Sequence, residues 1–438
     1  MLINDLDLAA TGDKRVLSAT VWWEERDYPD QRISFEINDP GIAEDADDRD
    51  DRLDHRRWSS ELRADPFLCA CFPLAAVHGE ARIRVEAPAC PMLVEGLRTA
   101  HAWWSSWGGM PGPAPAIETA ARGNALSAGP RRSAAFLSGG VDGLHMLMRN
   151  RRLYRRDDPA YIRKALFIHG FDIGKRARAP EPERYRAALA RLQPVAAETG
   201  LSLVPCRTDL RHLPSRPDFW TYRHNGAALA AVAHAALLSP ALLFIGASHH
   251  AANPVPMGSH PAVDGLFSSQ RITIVHDGAR FTRLEKVRDL AAWPTALAAL
   301  RVCPEVEGTQ ANCGRCEKCL RTRLELLAAG VDETAALGPS LTPIEQWEEA
   351  VPIPSGHRAI MYQDLLPQLR ARGLGALCRV LEKKIAVYRE GQEVARRPLI
   401  DQPAKGIERY LLDGGASRLQ DRSEGDAMGH RRDRLWRL

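Results

Sequence analysis

The stretch "SAAFLSGGVDGLHMLMRN", residues 133–150, decides the fold. A short apolar run climbs into Ser138, Gly139 and Gly140, and an amphipathic segment follows at once. The run reads as a strand, the segment after it as a helix, and the glycines as the turn that joins them. Such a turn gathers backbone N–H groups and the positive end of the helix dipole around one point, which favours a bound phosphate. The pattern is not a Walker loop, because no Gly-Lys-Ser/Thr follows, and it is not the Gly-x-Gly-x-x-Gly dinucleotide pattern.

Downstream, the short apolar runs "ALFIHG", "LSLVPC", "ALLFIGAS" and "RITIVHD" alternate with helical stretches such as "YRAALARLQPVAAET" and "NGAALAAVAHAALL". Strands of this length with crossover helices between them predict an α/β fold. Its sheet would be parallel and doubly wound, with the ligand at the carboxyl ends of the strands. Upstream, residues 1–107 read as an N-terminal α+β domain, with "RVLSATVWWEE" and "QRISFEIND" as paired strands, "ARIRVEA" as another and "CPMLVEGLRTAHAWW" as a helix. The acidic run "EDADDRDDRLD" reads as a solvated loop. Trp22-Trp23 and Trp103-Trp104 read either as core packing or as a recognition surface. Residues 108–132, rich in Gly, Pro and Ala, predict a linker. The sheet domain is expected over 133–330, a helical extension over 331–410 and a mobile basic tail over 411–438.

Composition bounds the function. The chain has 438 residues and 45% apolar content, enough for more than one core. Its formal net charge of +4 gives no general electrostatic case for a nucleic-acid partner. No apolar run reaches the roughly 18 residues of a membrane span, and "MLINDLDLAATGDKR" lacks the charged-then-apolar order of a secretory signal, so a cytoplasmic protein is expected. The nine cysteines are an odd number, and four crowd between Cys303 and Cys319, unlike a secreted disulfide framework.

Those four carry chemistry of their own. In "LRVCPEVEGTQANCGRCEKCLRT", Cys303 stands ahead of Cys313, Cys316 and Cys319, which follow at intervals of three. A Cys-x₂-Cys pair bites one metal through a tight turn, a third cysteine lies one helical turn on, and the upstream cysteine closes a tetrahedron. This is a structural zinc pattern with no open position. An iron–sulfur cluster is the competing reading, although the further Cys-Pro of ferredoxin runs does not follow.

Ser138-Gly139-Gly140-Val141-Asp142 resembles the pyrophosphate loop of the ATP pyrophosphatases, whose form is Ser-Gly-Gly-x-Asp-Ser; here Gly143 replaces the closing serine. Together with the Cys-Gly-x-Cys-x-x-Cys core, residues 133–330 resemble the 7-cyano-7-deazaguanine synthase family of the queuosine pathway. The added N-terminal and C-terminal segments are similar to the longer synthase-like proteins of anti-phage defence, notably the Qat system. The resemblance implies an ATP-dependent C–N ligase that uses Mg2+ and carries Zn2+. It adenylates a deazapurine carboxylate such as 7-carboxy-7-deazaguanine for attack by ammonia or by an amine of a partner protein.

The resemblance also assigns residues. Ser138, Gly139, Gly140, Val141, Asp142 and Gly143 would surround the phosphates, with His169 and Asp172 beyond "ALFIHG" among the nucleotide contacts. Asp142 would hold magnesium or fix the loop. In "HDGARFTRLEKV", Arg283 and Lys286 lie one helical turn apart and would reach the leaving pyrophosphate, or else form a solvated helix face. Arg223, His224 and Asn225 open a helix in "FWTYRHNGAAL", and Ser259, His260 and Asp264 fall in the long loop "IGASHHAANPVPMGSHPAVDGLFSS". These six are the expected substrate contacts. Cys206 ends a strand, as packing or as the sulfur relay of a tRNA thiolase. That thiolase and a non-catalytic scaffold are the alternatives to the ligase.

Overall fold

The computed structural model describes residues 1–39, 63–110, 112–120, 132–174, 181–216, 218–237, 241–304, 306, 308–337, 347, 351 and 353–396. The acidic run and the basic tail fall outside the described residues. The chain forms two compact units, one of Met1–Trp104 with Met110–Ser340, the other of Ser105–Gly109 with Leu341–Leu438.

In the first unit a hairpin, β1 (Leu2–Thr11) and β2 (Lys14–Trp22), leads to β3 (Gln31–Asn38). Helix α1 (Asp65–His78), β4 (Arg82–Pro88), α2 (Pro91–Ser106) and β5 (Ala116–Ala120) follow. The alternating segment begins with β6 (Arg132–Phe136), α3 (Val141–Leu153) and β7 (Ile162–His169). It continues with α4 (Pro182–Thr199), β8 (Ser202–Thr208), α5 (Asn225–Ala236), β9 (Ala241–Gly246) and β10 (Ile272–Asp277). Helices α6 (Arg283–Ala291), α7 (Pro294–Ala299) and α8 (Glu317–Ala328) complete the unit.

All ten strands share one sheet in the order β10-β9-β6-β7-β8-β3-β2-β1-β4-β5. From β10 to β8 every junction is parallel. Strand β3 then joins β8 antiparallel, matching Phe35 with Thr208 and Ile37 with Cys206. β2 and β1 continue antiparallel, and β4 and β5 close the edge in parallel. The protein is thus α/β with a mostly parallel sheet of Rossmann-like layout. Strand order reverses beside β6, whose neighbours β7 and β9 are reached by crossovers in opposite directions, and at such a point the loops part to leave a crevice.

Burial explains the layers. β7 is apolar through its middle and covered on both faces, as parallel strands are, whereas β3 buries alternate residues. One face of the sheet is covered by α3, α4 and α6 around Leu144, Ile162, Val195 and Leu290. Elsewhere in the unit α1 packs against α5, whose alanines let the helix backbones approach closely.

Residues 1–107, read from the sequence as a domain of their own, share the sheet through β3, and Arg15 Nη2 donates to the carbonyl of Ala236 at 2.9 Å. The stretch read as a linker contains β5, paired to β4. In the second unit α9 (Gly356–Gln363), α10 (Leu366–Ala371) and α11 (Gly375–Arg396) bury Tyr362, Leu369 and Leu381. No helix among the described residues is long and apolar enough to cross a membrane.

Candidate nucleotide pocket and metal cluster

A cavity of about 430 Å³ opens at the carboxyl ends of β6, β7 and β9, where the strand order reverses. Its polar side is formed by Ser138, Gly140, Asp142 and Gly143, with Arg301 and Lys318 beside them. Its apolar side includes Phe136, Leu166, Phe171, Trp220 and Leu229.

The loop owes its shape to backbone. Gly139 stands at φ +80, and a Cβ there would meet the carbonyl oxygen of Ala299 at 3.0 Å, so the position requires glycine on both counts. Gly140 caps α3 in extended geometry with no side-chain capping bond, which leaves first-turn N–H groups for a ligand. Gly246, at the end of β9, lets the start of α3 close in; a Cβ on it would lie 2.9 Å from the backbone carbonyl of Asp142. Val141 is buried as the first core residue of α3.

Asp142 fixes this loop electrostatically. Its Oδ1 takes Lys286 Nζ at 3.0 Å, and its Oδ2 lies 3.8 Å from Arg283 Nη1. Desolvation alone would raise the Asp142 carboxyl; the charges of Lys286 and Arg283 outweigh it and hold the group below its ordinary value. Lys286 is 2% exposed and also donates to the carbonyl of Ala247. Arg283 continues to Glu325 Oε2 and Thr322 Oγ1, both at 3.0 Å, so α6 and α8 are tied together. Neither cation lines the cavity, contrary to the expectation that they meet the leaving pyrophosphate. Asp142 draws both beneath the loop.

Among the other expected contacts, Asp172 and Asn225 line the cavity. His169 does not; it packs edge-on to Tyr185, with ring centroids 5.0 Å apart. Arg223 is buried off the cavity, and its Nη1 donates to the carbonyl of Tyr222 at 2.6 Å. His224 shares a hydrogen bond of 2.8 Å with the carbonyl of Ala70, and burial pushes its imidazole down to about 4.

Ser259, His260 and Asp264 form an internal knot instead of a substrate wall. Asp264, fully buried, accepts from Ser259 Oγ at 2.8 Å and the His260 N–H at 3.2 Å, and pairs with His276 Nδ1 at 2.7 Å. This stitches the long loop to β10, and the loop's contributions to the cavity are Ser248 and Met257. A buried carboxylate gathers local donors in this way because it otherwise bears the full cost of desolvation.

Sequence reasoning missed Arg301 and Lys318. Their only signal is proximity to the cysteines: Arg301 lies two residues before Cys303, and Lys318 between Cys316 and Cys319. It also missed Asn312. The Oδ1 of Asn312 accepts from the N–H groups of Val302 at 2.8 Å and Cys303 at 3.1 Å, while its Nδ2 donates to the carbonyls of Leu300 and Ala336.

The structure does gather the four cysteines. The sulfurs of Cys303, Cys313, Cys316 and Cys319 lie within 4.8 Å of one another, a group that could hold a metal ion such as zinc. The separations of 3.6 Å from Cys303 to Cys316, 3.5 Å from Cys316 to Cys319 and 3.9 Å from Cys313 to Cys319 bracket the value of about 3.8 Å expected between sulfurs of a tetrahedral Zn–S₄ site. The hydrogen bond between Cys316 and Cys319 lowers the first thiol and raises the second, so the two sulfurs act on each other's protonation directly.

Compared with family models, with curated proteins and with solved structures, the chain gives no match.

Proposed function

We propose that the protein is an ATP-dependent adenylating ligase of the pyrophosphate-loop type, acting on a deazapurine carboxylate as 7-cyano-7-deazaguanine synthases do. The observation that carries this reading is the Ser-Gly-Gly turn and its uncapped helix start, opening on an apolar cavity at the reversal point of the sheet. Loop N–H groups and the Ser138 hydroxyl suit the β- and γ-phosphates, and the apolar wall beside them suits flat heterocycles. Asn225 also lines the cavity, and a side-chain amide there suits the polar edge of a purine-like ring.

In this reading a carboxylate oxygen of the substrate attacks the α-phosphorus and the bond to the bridging oxygen breaks. The products are an acyl adenylate and pyrophosphate. An amine, from ammonia or from a partner protein, then adds to the acyl carbon, loses a proton and displaces AMP. Alignment by the loop and charge neutralisation at the leaving group supply the rate. Magnesium, when bound with ATP, neutralises phosphate charge; Asp172, exposed on the cavity, is the carboxylate open to it, because Asp142 is engaged by two cations. Zinc on the four cysteines is structural, with no coordination position left for chemistry.

Cys206 argues against a thiolase. It is buried in β8 with its sulfur 3.5 Å from the carbonyl of Val204, and burial pushes the thiol far above its ordinary value, away from the thiolate a sulfur relay needs.

The test is product analysis. Purified protein given ATP, 7-carboxy-7-deazaguanine and ammonium should release AMP and pyrophosphate in equal amounts. Release of ADP and phosphate would reject the loop assignment, and absence of turnover and of nucleotide binding would leave the scaffold reading.

A further inference from the structure

We infer that Arg301 and Lys318 form the cationic wall that takes the nucleotide's terminal phosphates, and that the metal on the four cysteines sets both side chains in place. This rests on the nucleotide reading above and assigns the anion contacts that its loop leaves open. A triphosphate needs positive charge as well as N–H groups. The two cations expected to provide it, Arg283 and Lys286, are engaged with Asp142. Arg301 and Lys318 do line the cavity, as Ser138 and Gly140 do, and Arg301 lies directly against the loop carbonyls of Ser138 and Gly139. Lys318 is exposed and has no ion-pair partner among the described residues.

Both cations lie beside the cysteine cluster in sequence, Arg301 two residues before Cys303 and Lys318 between Cys316 and Cys319. Lys318 sits in the first turn of α8 between two of the sulfur-bearing residues, so a metal that fixes Cys316 and Cys319 fixes the direction in which Lys318 leaves the helix. Arg301 is held from both sides. Asn312, next to Cys313, clamps the backbone of residues 300–303, and the Arg301 N–H donates to the carbonyl of Gly139 at 2.8 Å. Its Nη1 also donates to the carbonyl of Ser138 at 3.4 Å. A second link runs from α8 through Glu325 and Arg283 to Asp142. The cluster is therefore joined to the glycine loop by two independent sets of bonds, and a metal there acts on the anion site as well as on stability.

The experiment uses the zinc-loaded full chain with inorganic pyrophosphate as probe, read by titration calorimetry. Lys318→Ala should weaken pyrophosphate binding by about tenfold or more, as expected for loss of one charge-assisted contact, with melting temperature unchanged. Lys318→Arg should retain most of the affinity. Because linkage is reciprocal, saturating pyrophosphate should raise the protein's zinc affinity, measured by competition with a chelator, and this increase should shrink in Lys318→Ala. Pyrophosphate affinity unchanged in Lys318→Ala, or zinc affinity indifferent to pyrophosphate, overturns the inference while the nucleotide reading stands. Wild-type protein that binds neither pyrophosphate nor ATP overturns both.

Discussion

Between residues 138 and 143 the chain takes its shape from backbone: a left-handed glycine at 139, an extended helix cap and a close approach of Gly246 to the Asp142 carbonyl. Between residues 303 and 319 it is held through side chains, four sulfurs and the amide of Asn312, with little regular structure until α8 begins. The first region takes its turn from its own glycines and is anchored by distant partners, Lys286 and Arg283 on Asp142 and the Arg301 N–H on the Gly139 carbonyl. The second joins residues from two sides of a loop, so its order depends on whatever binds the sulfurs. The two regions divide the labour. Changes to the loop glycines should fall chiefly on anion binding, changes to Asp142 on stability, and changes in the cluster on stability and binding together.

The largest expected effect is on the cluster. Cys316→Ala removes one of four ligands and should lower the melting temperature by about 10 °C, consistent with a loss of several kcal/mol in a unit of this size. It should also release the metal, measured by elemental analysis. Unchanged melting with full metal content would break the distinction between the two regions.

Asp142→Asn comes next, because it removes the loop carboxylate that draws in Lys286 and Arg283. It leaves Lys286, which is 2% exposed, without its carboxylate, a change that costs about 3 kcal/mol for buried pairs. The pH dependence has a fixed sign. The native Asp142 carboxyl lies below its ordinary value, so its contribution is complete above about pH 4 and is lost as pH falls through the lower native value. Denaturant titrations should show a shallower acid limb in the variant. Wild-type stability in the variant at neutral pH would show that Asp142 does not hold the loop.

The smallest stability effect belongs to Gly139→Ala. A left-handed alanine costs about 1–2 kcal/mol, and its methyl group would press on the Ala299 carbonyl, 3.0 Å away. Pyrophosphate affinity should fall far more than stability does. A variant that melts lower yet binds normally would reverse the comparison.

The same physical difference governs what could be read in advance. The glycine turn, the strands after it and the cysteine spacing are local patterns, and the structure keeps the parallel strands and gathers the sulfurs. Other features depend on contacts distant in sequence. β5 lies in a Gly/Pro-rich stretch that carries no sustained apolar period, and it exists because β4 offers a parallel edge. The continuity of β3 with β8 could not be seen from either strand alone. Asp264 looked like a pocket carboxylate because it sits in a polar loop, but Ser259 and His276 close around it in the interior. Arg283 and Lys286 were identified as a cationic pair, and their partner, Asp142, lies more than a hundred residues away. Arg301 and Lys318 were hidden by the cysteines beside them.

The proposed role of the loop at residues 138–143 is to hold the pyrophosphate end of ATP and to expose the α-phosphorus to a substrate carboxylate. It is tested most directly by oxygen transfer. With 7-carboxy-7-deazaguanine labelled with heavy oxygen in its carboxylate, mass spectrometry of the released nucleotide should find one labelled oxygen in AMP and none in pyrophosphate. Label in inorganic phosphate with ADP as the nucleotide product, or unlabelled AMP during amide formation, would contradict the account.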